Sequence, residues 1–447
     1  METVLAALIT GAVTLIGVLI ANSRSQAVTD TKLEELTREV RAHNNFAQRV
    51  PVLEEQMKVA NHRIADLEAN EHAPLAGTSG EDMSEYKVPS MREIEALPWN
   101  GYKVVSTFSG GGGSCLGYRM AGYHVIYANE FVEEAQKTYR LNHPDAYLDT
   151  RDIRTVTPES ILEITGLKKG ELDLFDGSPP CCAFSTAGSR EKGWGKQRAY
   201  SDGKTQRVDD LFFEYIRILD GLQPKAFIAE NVSGLIKGTA KGYFKRIMAA
   251  MKACGYTVKA ALINAQYCGV PQNRERVIFM GVRNDLSLSP VYPAPKLPVI
   301  SLGEALDGVV NDPREVEMLK ANARKYRWGD VLRKIPPDPD KPVSGSAVMN
   351  GSYFNLVRES LHYPCSTITA SGGGTSIAAM CHPTENRKFT IPELKRITSL
   401  PDDFILTGEF EQRWERAGRM VPPLMMKAIS ETLREEVLDK CRKNATT

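Results

Sequence analysis

Hydrophobic positions change rhythm along this chain, and each rhythm predicts a different element. From Thr3 to Ser23 no charged side chain occurs, and Leu, Ile, Val, Ala, Gly and Thr dominate. As a helix, Thr3 to Ala21 would measure about 29 Å, close to a hydrocarbon core of roughly 30 Å, which predicts a membrane span within residues 1–23. A buried core helix gives a similar run, as does a signal peptide, although the latter opens on positive charge and this segment on Glu2. Arg24, Lys32, Arg38 and Arg41 follow, and positive residues stay inside, so the remainder is expected on the cytoplasmic face. In residues 24–72, Leu33, Leu36, Val40, His43, Ala47 and Val50 fall at alternating three- and four-residue steps. Pro51 interrupts them, and Leu53, Met57, Ala60, Ile64 and Leu67 resume in a shifted phase. That spacing predicts a coiled-coil-like helix and self-association; a solvated amphipathic helix is the alternative. Small and turn-forming residues make 73–98 a linker.

From about Trp99 the pattern becomes short, β-rich apolar runs separated by helical segments. The runs are 103–108 (KVVSTF), 124–130 (HVIYANE), 172–177 (LDLFDG), 225–231 (KAFIAEN) and 276–282 (RVIFMGV). This alternation predicts an α/β fold with a mostly parallel sheet, over residues 99–286. Prolines, glycines and small polar residues then dominate 287–386, which predicts a smaller, irregular domain. Helical patterns return at 391–400 and 421–442, and 387–440 reads as a closing segment that returns to the first domain.

Composition narrows the classes little. The 447 residues carry a formal net charge of +1, so any phosphate contact must come from local basic patches. The eight cysteines include no CxxC pair, which favours reduced cytosolic thiols and gives no reason to expect a metal.

Chemistry concentrates at the predicted strand ends. The first strand runs into FSGGGGSCLG, Phe108 to Gly117, where glycines let the backbone approach a ligand; Glu130 ends the next strand, where an acidic residue can bind ribose hydroxyls. The spacing departs from GxGxxG, since Cys115 stands at the third glycine, and a plain tight turn remains open. DGSPPCCAFS, Asp176 to Ser185, follows a strand and holds Cys181 in a stiff turn suited to a nucleophilic thiolate. Cys182 reads as a small buried hydrophobe. Glu230 and Asn231, again at a strand end, suit a heterocycle with donor and acceptor edges; Asn231 could instead cap the next helix. Gln272, Arg274 and Arg276 alternate, so an extended segment would point them one way, toward a site or a solvated face.

In order and spacing these motifs resemble the DNA (cytosine-5) methyltransferase family over about Lys103 to Glu436. The resemblance implies a Rossmann-like methyltransferase sheet, a small irregular target-recognition domain at 287–386, and S-adenosylmethionine as cofactor. It assigns cofactor binding to Phe108, Ser109, Gly110, Gly112 and Gly113, with Gly117 completing the motif, and to Glu130, Phe131, Asp152, Ile153 and Pro180. It assigns catalysis to Cys181, Glu230, Asn231, Arg274 and Arg276. RKFTIPELKR, 387–396, and GRMVPP, 418–423, resemble the family's closing motifs, and STITASGGGTS, 366–376, its threonine-containing recognition segment. Cys182 departs from the family's usual glutamine, and Arg419 and Met420 from an asparagine and a small residue that help hold the cofactor.

The implied reaction is covalent. Cys181 adds to cytosine C6, Glu230 supports protonation at N3, and C5 then accepts the methyl group; Arg276 holds the base oxygen and Asn231 orders the loop. The partner is double-stranded DNA with its base flipped out. The segment Arg190–Arg207, carrying Arg190, Lys192, Lys196, Arg198, Lys204 and Arg207 among glycines, reads as a mobile loop closing over DNA, or as a solvated loop. A restriction–modification or phage setting in a bacterial cell is expected. The related reaction on transfer RNA and a membrane-tethered DNA-binding protein without catalysis are the rival readings, the latter opposed by the presence of Cys181, Glu230 and Arg276.

Overall fold

The computed structural model describes residues 86–180, 210–236 and 241–444, and the backbone alone of 197–199 and 205–207. The expected membrane span at 3–21, the heptad stretch of 24–72 and most of the linker lie outside the described residues, as do Cys181 and Cys182. Among the described residues no helix is long and apolar enough to cross a membrane.

Seven strands form the main sheet: β1 (Lys103–Thr107), β2 (His124–Asn129), β3 (Tyr147–Asp149), β4 (Leu174–Gly177), β5 (Ala226–Val232), β6 (Tyr256–Asn264) and β7 (Glu275–Arg283). Their order is β3-β2-β1-β4-β5-β7-β6. The first five are parallel, and β7 enters antiparallel between β5 and β6. Chain order reverses about β1, so the ends of β1 and β4 diverge into a crevice, where open sheets bind ligands.

Side chains alternate across the sheet and supply two apolar layers. Val104, Ile228 and Ile278 face one cluster, while Val105, Phe227 and Phe279 face the other. Helices cover both faces, which is why the central strands read as continuous apolar runs. On the first face α1 (Gly113–Met120) packs on α6 (Pro423–Leu433). Gly117 permits this approach, because a Cβ there would lie 2.5 Å from the Pro423 carbonyl oxygen. On the second face lie α3 (Leu211–Leu222) and α4 (Lys241–Ala253), while α2 (Glu133–Asn142) follows β2.

Beyond β7 the chain is more regular than expected. Residues 287–386 contain helices Leu302–Leu306, Pro313–Lys325 and Arg327–Leu332, besides short strands. Local capping explains the first two: Ser301 and Glu304 form a capping box, and Asp312 caps a helix whose first residue is Pro313. A third apolar cluster joins Leu302 and Leu319 to Phe389, Ile391 and Trp414, drawing in α5 (Phe410–Arg419), which the sequence reading had passed over. The basic segment expected to be a mobile loop contains an antiparallel pairing of Gln197–Ala199 with Thr205–Arg207.

Candidate active site

The β1–α1 turn is shaped by unusual backbone and held from two sides. Phe108 (φ 53°), Gly110 (φ 56°) and Gly112 (φ 94°) all take left-handed conformations, which glycine adopts without steric cost. Beneath the turn His143 occupies the place of a Gly112 side chain: a Cβ there would lie 2.2 Å from its Nε2. Beside it, Met420 packs against Gly111 and the Val421 carbonyl against Gly113. Around Gly110, by contrast, nothing lies within 4 Å of a Cβ position. The turn is thus backed by protein everywhere except at Gly110, where it opens.

Glu130 faces this opening from the end of β2. Its Oε2 accepts from the Gly110 N–H at 2.8 Å and its Oε1 from the Val132 N–H at 2.6 Å. Burial pushes its carboxyl above the usual range, while those two N–H donors, and Arg416 and Arg419 at longer range, act the other way. Phe131 is half-buried next to it; Ile153 is buried, and Asp152 caps the short turn Ile153–Thr155 through the Arg154 N–H. An open glycine turn, a buried acid and an apolar flank fit a nucleoside with ribose hydroxyls and a flat ring. Arg419 pairs with Glu415 at 2.6 Å, so the two departures at 419 and 420 are accommodated, one by an ion pair and one by packing on Gly111.

The turn after β4 runs through Ser178, Pro179 and Pro180 and is anchored on both sides up to Pro180. On one side the Ser178 N–H donates to the Thr107 carbonyl at 3.4 Å. On the other, Asn231 Nδ2 donates to the Pro179 carbonyl at 3.0 Å, while its Oδ1 accepts from the Val232 N–H. Asn231 therefore braces the turn and is not a helix cap.

Glu230 and Arg276 meet on β5 and β7. The strands pair with Arg276 opposite Val232 and Ile278 opposite Glu230, and Arg276 Nε lies 2.8 Å from Glu230 Oε1. Both side chains are largely buried. Burial lowers the Arg276 pKa, with Glu230 opposing that shift.

Arg274 behaves differently from Arg276. Its guanidinium is 2 % exposed and donates to the Ile368 carbonyl and the Gly418 carbonyl, each at 2.9 Å. Gln272 is equally buried beside it, reaching the Ile397 carbonyl. These two side chains tie the 365–370, 397 and 418 segments to the catalytic sheet.

One residue in the quoted motifs went unremarked in the sequence. Asp176 is 1 % exposed and accepts from Ser106 Oγ at 2.7 Å and Tyr118 Oη at 2.8 Å. A carboxylate inside the apolar run of β4 is the signal that could have flagged it.

The C-5 cytosine-specific DNA methylase family matches residues 102–435. The chain belongs to that family. A Type II methyltransferase of Neisseria gonorrhoeae, M.NgoPII, is 28 % identical over 74 % of this chain and 95 % of its own length. M.DdeI, a Type II methyltransferase of Desulfomicrobium norvegicum, is 30 % identical over 74 % of this chain and 88 % of its own. Among solved structures, a prophage-encoded DNA modification methyltransferase of E. coli shares the fold with a TM-score of 0.58, at 20 % identity over 75 % of this chain and 99 % of its own. The chain is a cytosine-C5 DNA methyltransferase that uses S-adenosylmethionine.

Proposed function

We propose that the methyltransferase acts through Cys181, with the cofactor at the Gly110 opening and the target cytosine between Glu230 and Arg276. The observation that carries this reading is the bracing of the nucleophile turn by Asn231, the neighbour of Glu230. It brings a base-binding acid–cation pair next to the turn that ends in Cys181. S-adenosylmethionine, when bound, supplies an electrophilic methyl group on a sulfonium. Phe108, Ser109, Gly110, Gly112 and Gly113 present the turn that would receive it, Glu130 would hold the ribose, Phe131, Asp152 and Ile153 the adenine, and Pro180 would complete the cofactor site from the end of β4.

Cytosine C5 is a weak nucleophile, so the residues must first raise its electron density. The Cys181 thiolate forms a bond to C6, and the ring electrons move toward N3, where Glu230 supports protonation. Arg276 holds the base oxygen. After methyl transfer, loss of the C5 proton restores the ring and expels Cys181. A stacked base cannot reach these groups, so the cytosine is flipped out at a cost of roughly a few kcal/mol. Arg274 is a positioning residue in this scheme, fixing residues 368 and 418 against the sheet.

Residues 287–386 read as the target-recognition domain and 99–286 with 387–440 as the catalytic domain. The relatives named Type II methyltransferases support a restriction–modification role in the bacterial cytoplasm; a phage-borne enzyme fits the same chemistry. The uncharged run 3–21 supports an inner-membrane anchor, and the heptads of 24–72 support self-association. Tyr86 is buried and donates to the Arg396 carbonyl, so a truncation testing the anchor should begin at Ser84. The full chain should sediment with membranes and the truncated one should stay soluble; a soluble full chain removes the anchor.

The test of function is methyl transfer from labelled S-adenosylmethionine to duplex DNA against transfer RNA, with bisulfite sequencing of host DNA. Label in duplex DNA at one repeated sequence supports the reading. Label confined to RNA overturns it.

A further inference from the structure

Asp176 is a buried carboxyl whose partners are unusual. Ser106 and Asp176 face each other in register on the parallel strands β1 and β4. Ser106 Oγ donates to Asp176 Oδ2 at 2.7 Å and accepts from Ser109 Oγ at 3.0 Å. Ser109 belongs to the cofactor turn: its carbonyl accepts from the Gly112 N–H at 3.0 Å. Tyr118 Oη, one turn into α1, donates to Asp176 Oδ1 at 2.8 Å. On the strand side, the Asp176 carbonyl accepts from Thr107 Oγ1 at 3.3 Å, and the next residue, Gly177, is hemmed in by Tyr215 and Thr107. The nucleophile turn begins immediately after.

No hydrogen bond or ion pair to a cation is formed by this carboxyl among the described residues. Ser106 from β1, Cys115 and Tyr118 from α1, Tyr139 from α2, Tyr215 from α3 and Glu230 from β5 all lie close enough to interact with it. Burial, with the nearby charge of Glu230, pushes its pKa up to about 7. An apolar side chain would fill the site without that penalty. What the carboxyl supplies instead is two fixed acceptors, one for the strand that enters the cofactor turn and one for the helix that leaves it.

We propose that Asp176 is a positioning residue for methyl transfer: through Ser106–Ser109 and Tyr118 it locks the cofactor turn to the strand end that launches Cys181, holding methyl donor and thiol in one relation. Transfer between two bound groups is sensitive to such registration, since a misplacement of ~1 Å can cost about a hundredfold in rate. The inference rests on reading Cys181 as the nucleophile.

The test uses the full chain and three readouts: unfolding midpoint, steady-state kinetics, and covalent capture on duplex DNA carrying 5-fluorocytosine. Asp176→Asn keeps the volume but offers an acceptor to only one of the two hydroxyls. It should lower kcat by about tenfold or more and raise KM for S-adenosylmethionine. The double swap Ser106→Asp with Asp176→Ser returns a carboxyl to the same spot from the opposite strand, and should recover kcat and KM to within about threefold of the wild type. Wild-type kinetics in Asp176→Asn would overturn the proposal. So would a swap that restores the unfolding midpoint and leaves kcat low, because the carboxyl would then serve folding alone. Absence of a Cys181 adduct in the wild type would sink the nucleophile assignment and this proposal together, whereas the two preceding results sink the proposal alone.

Discussion

Arg276 and Glu230 form a largely buried ion pair, Nε to Oε1 at 2.8 Å, across neighbouring antiparallel strands. In this state each charge is paired with the other. If the proposed roles hold, an incoming cytosine exchanges its own ring nitrogen and oxygen for part of that pairing.

Removing either partner leaves the other charged and buried, which is expensive. Arg276→Ala should lower kcat/KM by about a hundredfold or more and also reduce stability. Glu230→Gln, which keeps the shape and an oxygen acceptor for Arg276 but loses the carboxyl, should lower kcat by roughly a hundred- to ten-thousandfold with less effect on stability than Arg276→Ala. Single-turnover methyl transfer alongside thermal unfolding separates the two. Equal activity of wild type and Glu230→Gln would remove the acid from the mechanism.

Glycines in one motif should divide by function. Gly110→Ala meets open space, with some backbone strain from its positive φ, so it should weaken S-adenosylmethionine binding while leaving a folded protein. Gly117→Ala places a methyl 2.5 Å from the Pro423 carbonyl oxygen and should lower the unfolding midpoint by several degrees. Cofactor titration and calorimetry of both variants check this. A Gly110→Ala enzyme with wild-type cofactor affinity would move the cofactor away from that opening.

Glu359 sets a pH dependence of stability. Its Oε2 accepts from the Ser366 N–H and Oγ, its Oε1 is buried without a hydrogen-bond partner, and burial pushes its pKa up to about 7. Between the ordinary carboxylate value and about 7 the native state holds the proton more tightly than the unfolded chain. Stability from this group is therefore lost as pH rises across that window. Glu359→Gln removes the titration, so its stability relative to wild type should increase from pH 4 to pH 8 by on the order of 2–3 kcal/mol. Denaturant unfolding at several pH values measures it; a constant difference would show that the carboxyl does not titrate there.

The legible parts of this molecule were those written in local pattern. Five apolar runs became strands of the main sheet, and the glycines after Thr107 and the prolines before Cys181 marked its strand-end turns. What escaped depends on partners far away in sequence. Arg274 alternates with Arg276, yet its guanidinium is bound by carbonyls of Ile368 and Gly418, which no local pattern reveals. Asp176 sits in plain view within DGSPPC, but its meaning comes from Ser106 and Tyr118 on other elements. The helices of 302–332 are obscured for another reason: prolines and glycines are frequent across 287–386, although Ser301 and Asp312 cap two of the helix starts.

The most direct measurement is covalent trapping. Duplex DNA bearing 5-fluorocytosine at the methylated site, incubated with the enzyme and S-adenosylmethionine, should accumulate a stable adduct, because fluorine cannot leave C5 as a proton does. Peptide mapping of that adduct by mass spectrometry should place the base on Cys181, and Cys181→Ser should form none while still binding DNA. An adduct on Cys182, or methyl transfer by Cys181→Ser at the wild-type rate, would contradict the mechanism.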